Sequence, residues 1–245
     1  MPETMISEIV RLAARNNAAW CDAVCRAHGR PGVFTDILWF NRRETPRFYP
    51  DAVTTAGKEA QVAQCDMLAA LMEKDRRTSW AVKDSFLALD LSPLGFRPLF
   101  DGQWMCRTAR VSGPGCDDIR WVRIADGAAL SAWERALTDG TSDEAVAPIF
   151  VPPLLAIDGV AVFAAEVAGE IIGGGALNMA AGVVGISNVF ARVPRHEDVW
   201  RGLLIEAEHL FPGATVVGYE SGEDLVQACA VGFEAIGPLR VWVRP

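Results

Sequence analysis

The sequence lacks a long apolar run, a secretory signal and an excess of basic residues. No stretch approaches the ~18 consecutive apolar residues that a transmembrane helix needs. The first eleven residues carry Glu3 and Glu8 and have no apolar signal core, so we expect a cytoplasmic protein without a membrane partner. Lys and Arg number 23 against 31 Asp and Glu, which gives a net charge of −8. An acidic chain repels phosphate polymers, and we therefore expect no nucleic-acid partner.

The sequence also lacks a recognisable disulfide framework. Its six cysteines follow no such spacing, and a cytosolic chain would keep them reduced. Cys21, Cys25 and His28 are spaced to share one helical face, but no suitable fourth metal ligand lies nearby. This spacing favours small buried thiols on an amphipathic helix, and we predict no metal site.

Length and composition are those of a globular protein. The chain has 245 residues, of which 51% are hydrophobic and 22% charged. This length allows one large domain or two small ones. A stretch rich in Gly and Pro at 111–118 has the composition of a turn or linker. We therefore predict two domains, residues 1–112 and residues 117–245.

The two halves of the chain end in the same way. In the first half a predicted strand leads into Lys83-Asp84-Ser85, then a short helix-like segment, Gly95-Phe96 and a last strand. In the second half Tyr219-Glu220-Ser221, a helix and Gly232-Phe233 follow in the same order. Each Gly suits a helix C-terminus, because it takes the left-handed conformation without a Cβ clash. The repeated pattern predicts an internal duplication.

Periodicity predicts a mixed α/β fold for the second half. Strands are predicted at 120–124, 160–167, 170–178, 183–191, 215–219 and 234–243. Helices are predicted at 128–137, with Asp126 as its N-cap, and at 199–210 and 223–231. Short connections make 160–191 an antiparallel meander. The first half is richer in helix, with helices predicted at 5–28 and 57–73 and a strand at Val33–Phe40.

This order of elements resembles the GNAT superfamily of acyl-CoA N-acyltransferases. The turn and strand in Ala168–Gly174 are similar to the family's "dG-x-x-v-G" hairpin, and Ile186–Pro194 resembles its fourth strand. Gly232-Phe233 resembles the family's usual ending. The resemblance covers about 119–245 and implies a GNAT-like fold with a mixed sheet. Because the ending occurs twice, it implies a tandem architecture with an eroded first copy.

The resemblance implies an acetyl-CoA site in the second half, where the fourth and fifth strands would splay apart. Backbone groups of Val189, Phe190 and Ala191 would face the pantetheine arm. The diphosphate would lie at the N-terminus of the next helix, where free N–H groups favour negative charge. Four residues of this segment complete the predicted cofactor site: Arg195, His196, Trp200 and Arg201.

This segment departs from the family's phosphate cradle, Arg/Gln-x-x-Gly-x-Gly/Ala. Leu203-Leu204 falls in the expected register, but Asp198 and Trp200 replace the two small residues. Side chains at these positions would block close approach of the backbone to phosphates. Glu197 and Asp198 would repel a diphosphate, or they cap the helix and no phosphate binds.

The catalytic residues are less clearly marked. The position of the family's usual tyrosine acid, four residues before Gly-Phe, holds Ala228. A GNAT reaction needs proximity and a base that takes the amine proton. Glu166, Glu220 and His196 are the candidate bases, and Tyr219 is a candidate acid from a different position.

Three functional hypotheses follow. The first is an N-acetyltransferase that moves an acetyl group from acetyl-CoA to a small amine. The alternative is a non-catalytic GNAT-like domain that binds a small ligand or a protein partner, which the losses at Asp198, Trp200 and Ala228 favour. The third is a homodimer formed through edge strands.

Overall fold

The computed structural model describes residues 3–75, 77, 79–108, 115–138 and 147–245. Residues 111–114 of the predicted linker lie outside the described residues, so the domain boundary near 112–117 stays a prediction. No helix within the described ranges is long and apolar enough to span a membrane.

The described residues form five α-helices and eleven strands. The helices are α1 (Glu3–Ala27), α2 (Gln61–Glu73), α3 (Gly127–Leu137), α4 (His196–Leu210) and α5 (Gly222–Ala230). The first-half strands are β1 (Val33–Phe34), β2 (Leu38–Phe40), β3 (Ala52–Thr54), β4 (Trp80–Asp84) and β5 (Arg97–Arg107). The others are β6 (Arg120–Arg123), β7 (Val160–Val167), β8 (Glu170–Ala180), β9 (Val183–Ala191), β10 (Val216–Glu220) and β11 (Glu234–Arg244).

The first half differs from the sequence prediction in several details. Strand β3 was not predicted, and the helix predicted at 57–73 begins at Gln61, after a 3-10 turn at Lys58–Ala60. The strand predicted at Val33–Phe40 is a hairpin of two short strands, β1 and β2, because Thr35 closes a turn by hydrogen bonding with Leu38. The helix-like segment before Gly95 is a single 3-10 turn, Ser92–Leu94. In the second half the predicted strands and helices all occur, and Asp126 caps α3 by accepting a hydrogen bond from the Ala129 amide at 2.9 Å.

All eleven strands lie in one mixed sheet in which the halves exchange their last strands. The order is β1-β2-β3-β4-β11-β5-β10-β9-β8-β7-β6. β11 thus pairs with β4 of the first half, and β5 pairs with β10 of the second. These two last strands also pair with each other in the middle of the sheet. Neither half forms its part of the sheet without a strand from the other.

The register of the central pair is symmetric. Arg97, directly after the first Gly-Phe, pairs with Val243, and Glu234, directly after the second, pairs with Cys106. The strand before each Gly-Phe also pairs in parallel with the strand on its outer side. These pairs are β4 with β3 in the first half and β10 with β9 in the second. The pairing has the pseudo-two-fold pattern expected of a duplicated chain.

Both Gly-Phe pairs have the predicted geometry. Gly95 and Gly232 take left-handed backbone angles, with φ of 82° and 92°. Phe96 and Phe233, which follow them, are both buried. The left-handed residue turns the chain from a helical turn into the last strand, so that the Phe enters the core.

The helices cover the two faces of the sheet. Alternating side chains on β5 show the division: Trp104 and Cys106 pack with α1, whereas Met105 packs with α4 and α5. α3 shares the face of α1, since Trp20 of α1 and Trp133 of α3 belong to one cluster. Trp20, Trp39, Trp80 and Trp104, the first-half tryptophans, are all buried.

Helix α1 crosses from the first half onto the sheet of the second. The side-chain amide of Asn16 donates hydrogen bonds to the carbonyls of Asn178 (3.0 Å), Ala180 (3.2 Å) and Val183 (2.9 Å). Gly185 faces Asn16 and Asn178 so closely that a Cβ there would collide with both side chains. This contact fixes where α1 packs on the sheet, close to the point at which β9 and β10 separate.

Candidate functional site

The candidate site begins where β9 and β10 separate. These parallel strands pair only at Val184–Val216 and Gly185–Val217. Beyond that point β9 runs on to Ala191, and its register against β8 shifts between Ser187 and Phe190. Asn188, within this bulge, has a left-handed φ of 55°. A bulge bends its strand, so β9 turns away from β10 and leaves a gap through the sheet.

On one side of this gap lies a cavity of about 310 Å³, here called the α4-side groove. It is lined by Leu137, Val189, Phe190, Ala191, His196, Trp200, Glu220 and Asp224. The groove thus gathers five of the seven residues predicted to bind the cofactor. Arg195 and Arg201 do not line it.

The two arginines are engaged with acidic neighbours at the start of α4. Arg195 lies 2.6 Å from the Asp118 carboxylate and 3.3 Å from that of Asp198. Arg201 pairs with Glu197 one turn away, at 3.0 Å. Each carboxylate of the first turn therefore has a guanidinium beside it, which reduces its repulsion of an incoming phosphate.

Trp200 is a wall of the groove. Its ring is buried and meets Phe233 edge to face, at 5.6 Å between ring centroids. It therefore belongs to the core between α4 and the sheet. Asp198 is the more exposed of the two residues that replace the family's small ones, and 36% of its side chain is accessible.

On the other side of the gap lies a cavity of about 370 Å³, the α1-side cavity. Its principal lining residues are Asn17, Trp20 and Cys21 of α1, 186–189 of β9, Tyr219 and Glu220 of β10, and Tyr49, Lys83 and Phe150. The two cavities share Leu137, Val189 and Glu220 in their linings, and both tyrosines of the chain line the α1-side cavity.

Glu220 is the carboxylate common to both linings. Burial raises its pKa to about 8, and the nearby Asp224 carboxylate adds to the rise. The Lys83 ammonium opposes this shift and lowers the pKa. A carboxylate with a pKa near neutrality can accept a proton in one step of a reaction and release it in another.

Lys83 is a buried cation in the lining of the α1-side cavity. Its side chain reaches across the sheet from β4, and only 3% of the residue is exposed. The ammonium donates a hydrogen bond to Asn17 Oδ1 at 2.8 Å and lies 4.0 Å from the centre of the Tyr219 ring. Tyr219 is fixed in turn by Trp104, edge to face at 5.5 Å.

Aromatic side chains form the outer wall of this cavity. Tyr49 places its hydroxyl 3.4 Å from Asn188 Oδ1 in the bulge of β9. Burial raises the pKa of Tyr49 well above its usual value, so this hydroxyl stays protonated. Phe150 contacts Tyr49 and Trp133 edge to face. The Glu134 carboxylate holds this segment by accepting hydrogen bonds from the amides of Ile149 and Phe150.

No protein-family model and no curated protein matches this sequence. Solved structures do match the fold over nearly the whole chain. A GCN5-related N-acetyltransferase from Kribbella flavida is 15% identical, with 95% of each chain covered and a TM-score of 0.63. One from Sphaerobacter thermophilus is 12% identical, with 96% of this chain and 94% of that one covered and a TM-score of 0.56. A putative GNAT-family acetyltransferase from Novosphingobium aromaticivorans reaches a TM-score of 0.54 at 12% identity, with 91% and 96% covered.

The chain has the GNAT fold. The gap between β9 and β10 lies where the resemblance implied splayed strands. The cofactor site in the second half stays a prediction. Within this fold the three candidate bases lie at different positions relative to the two cavities. Glu220 lines both cavities and His196 lines the groove.

Glu166 is placed away from both cavities of this GNAT fold. It lies on β7 near the edge of the sheet, where it pairs with Arg120 of β6. Ala228 is fully buried in the core beneath α5. A larger side chain at that position would have to displace its core neighbours.

Sequence reasoning missed Asn17, Tyr49 and Lys83. Lys83 holds the position in the first Gly-Phe module that Tyr219 holds in the second, and the symmetric sheet brings the two side chains together. The equivalent positions of Lys83 and Tyr219 in the repeated module could therefore have indicated from the sequence that the two side chains lie close together. Nothing local marks Asn17 or Tyr49, because they reach the cavity only through the packing of the first half against the second.

The cysteines take no part in a metal centre within the described residues, where no group of three or more His, Cys, Asp or Glu is arranged to hold a metal ion. Cys21 and Cys25 are buried thiols on α1, in accord with the favoured interpretation. Burial raises the pKa of Cys21 to about 11 and that of Cys25 to about 12, so both stay protonated near neutral pH.

Proposed function

We propose that this protein is an N-acyltransferase that moves an acetyl group from acetyl-CoA to a small amine. One observation carries the proposal: two cavities, one on the α1 side and one on the α4 side of the sheet, both have Glu220 in their lining, beside the gap between β9 and β10. Direct transfer between two substrates requires adjacent binding sites, because the reacting atoms must approach to about 3–3.5 Å.

The α4-side groove fits the pantetheine end of acetyl-CoA. The diverging part of β9 lines it along Val189–Ala191, where strand pairing with β10 has ended. Backbone groups freed from a ladder are suited to a ligand that itself carries amides. The diphosphate would lie near the start of α4 beside His196, with Arg195 and Arg201 as neighbouring cations. Acetyl-CoA supplies the acyl group as a reactive thioester.

The acceptor would occupy the α1-side cavity with its nitrogen towards Glu220. The ionised Glu220 takes a proton from the acceptor ammonium, and the free amine then attacks the acyl carbon. A C–N bond forms, the C–S bond breaks, and the sulfur leaves as a thiolate. The nitrogen loses its second proton as the amide forms, and this proton balances the one that the sulfur takes up. Tyr219 is our candidate for returning a proton to that sulfur, since it lines the same cavity beside Glu220.

Acetyl-CoA binding is the first test, measured by isothermal titration calorimetry with desulfo-CoA and ATP as controls. We expect micromolar affinity for acetyl-CoA and no comparable binding of ATP. A screen of small amines, read by release of free CoA thiol, would then identify acceptors. Absence of acetyl-CoA binding up to millimolar concentration would overturn the proposal.

The competing candidate is a GNAT-like domain that binds a ligand or partner without catalysis. The buried Ala228 and the Asp198 carboxylate at the start of α4 favour it. Turnover of acetyl-CoA with any amine would exclude it. Pairing of sheet edges between two copies stays a separate prediction, which a mass measurement in solution would test.

A further inference from the structure

Lys83 is a charge without a counter-ion. Its ammonium has one hydrogen-bond acceptor, Asn17 Oδ1, and the face of the Tyr219 ring. Within the described part of the chain, no carboxylate oxygen lies within 4.0 Å of Nζ. Buried charges in proteins are ordinarily paired, since removal of an ammonium from water is costly. A buried, unpaired ammonium that lines a cavity is therefore a place for an anion.

The cavity also separates its charges. Lys83 comes from β4 and lines the α1-side cavity alone, whereas Glu220 comes from β10 and lines both cavities. They interact electrostatically without forming an ion pair. A ligand with a negative group at one end and a positive group at the other would complement both. An acceptor with an amine alone would leave Lys83 unpaired.

The remaining surface suits the carbon skeleton of such a ligand. Trp20, Tyr49 and Phe150 supply apolar ring surface to the lining of the same cavity. Asn17 and Asn188 add amide groups at positions where a carboxylate or an ammonium needs further hydrogen bonds. A single ammonium with few companion donors favours a carboxylate over a phosphate, because phosphates are usually held by several donors together.

We propose that the acceptor is an amino acid or a related amino carboxylate, with its carboxylate bound to Lys83 and its amine directed to Glu220. This inference rests on the proposed function, in which Glu220 deprotonates the amine before its acylation. Lys83 is then a specificity-determining residue that the first half contributes to the site of the second.

The test is calorimetric binding of matched ligands to the full-length protein and to Lys83→Met. One set is phenylalanine, phenylalaninamide and 2-phenylethylamine; a second set compares 6-aminohexanoate with hexylamine. The matched control is Lys58→Met, which removes an exposed lysine. We expect the wild-type protein to bind at least one carboxylate roughly ten- to a hundredfold more tightly than its neutral partner. Lys83→Met should remove that preference, and Lys58→Met should keep it.

The ratio of affinities separates recognition from a purely structural role of Lys83, because general damage would weaken both ligands of a set alike. If Lys83→Met does not fold, Lys83→Gln is used in its place, because glutamine keeps a hydrogen-bond donor towards Asn17. Equal binding of carboxylates and neutral amines by the wild type would overturn the inference, as would a preference that survives the loss of Lys83.

The outcomes also distinguish this inference from the proposed function. Acyl transfer to neutral amines as fast as to amino carboxylates would overturn the inference and leave the function standing. Carboxylate binding that depends on Lys83, without acyl transfer to any amine, would overturn the function and leave a carboxylate site.

Discussion

Glu220 shows how the surroundings of one residue set its chemistry. The same side chain on an open surface would be ionised at any physiological pH. Here burial and Asp224 raise its pKa to about 8, so that both protonation states are populated near neutrality. Such a residue is a natural base for an ammonium whose own pKa is higher, and its ionisation should be visible in rates and in stability.

We expect the rate of acyl transfer at limiting substrate to rise with pH through an apparent pKa of about 8, because only the ionised Glu220 accepts a proton. Glu220→Gln should lower kcat/KM by roughly 10²- to 10⁴-fold and remove this rise. The measurement is initial rate against pH for both proteins. Glu170→Gln, which changes an exposed glutamate on β8, is the control and should retain the wild-type profile.

Glu220 should also make the folded state less stable as pH rises. Its folded pKa lies above the unfolded value, so the native state binds more protons between about pH 4.5 and 8, and the free energy of unfolding falls across that window. The loss is at most on the order of a few kcal/mol. Urea titrations at pH 5 and pH 9 should show a smaller difference for Glu220→Gln than for wild type. An unchanged difference would contradict a raised pKa.

At the scale of elements, the docking of α1 determines the shape of the α1-side cavity. One asparagine of the helix, Asn16, donates hydrogen bonds to three carbonyls of the second half. Those carbonyls belong to the β8–β9 hairpin, which carries the bulge at Asn188. A shift of α1 would therefore move Asn17 and the bulge relative to each other.

Asn16→Ala should lower the free energy of unfolding by about 2–4 kcal/mol, because it leaves buried carbonyls without their donor. Chemical denaturation is the measurement, and Arg15→Ala, on the exposed side of the same helix, is the control with an expected change within about 0.5 kcal/mol. Equal effects of the two substitutions would show that the contacts of Asn16 are not critical to docking.

The start of α4 is the second element that bears on function. Asp198→Asn removes a carboxylate near the proposed diphosphate position and releases Arg195 from one of its two acidic partners. We expect the affinity for CoA to rise roughly three- to tenfold at low salt and less at high salt, because the effect is electrostatic. Calorimetry at two salt concentrations would measure it, with Glu206→Gln, farther along α4, as the control. No change at low salt would place the diphosphate elsewhere.

At the scale of the whole molecule, the exchange of β5 and β11 joins the halves into one cooperative sheet. A fragment of residues 117–245 has β10 and β11 but lacks the strand that lies between them. We expect it to be unfolded alone, by circular dichroism and amide NMR dispersion, and to fold when mixed with residues 1–112. The intact chain should unfold in urea in one transition. A folded fragment with dispersed spectra would contradict this reading of the sheet.

Much of the fold and part of the site could be predicted from the sequence, and particular residues show where prediction stopped. Gly95 and Gly232 were predictable because a left-handed helix end is a local requirement. Val189–Ala191 and Glu220 were predictable because they lie in a segment with a family resemblance or in the repeated module. The positions of Tyr49 and Asn17 were not, since loops and helices of the first half reach the cavity only after both halves have packed.

The sequence by itself determined the elements, the two Gly-Phe modules and the likeness of the second half to GNAT proteins, because helical periodicity, capping and turn chemistry act over a few neighbouring residues. Only the tertiary structure decided that the halves exchange their last strands and that Lys83 meets Tyr219. It alone showed that Glu220 lines two cavities. These features depend on strand pairing and helix docking between residues more than a hundred positions apart, and the burial that raises the pKa of Glu220 exists only once those contacts have formed.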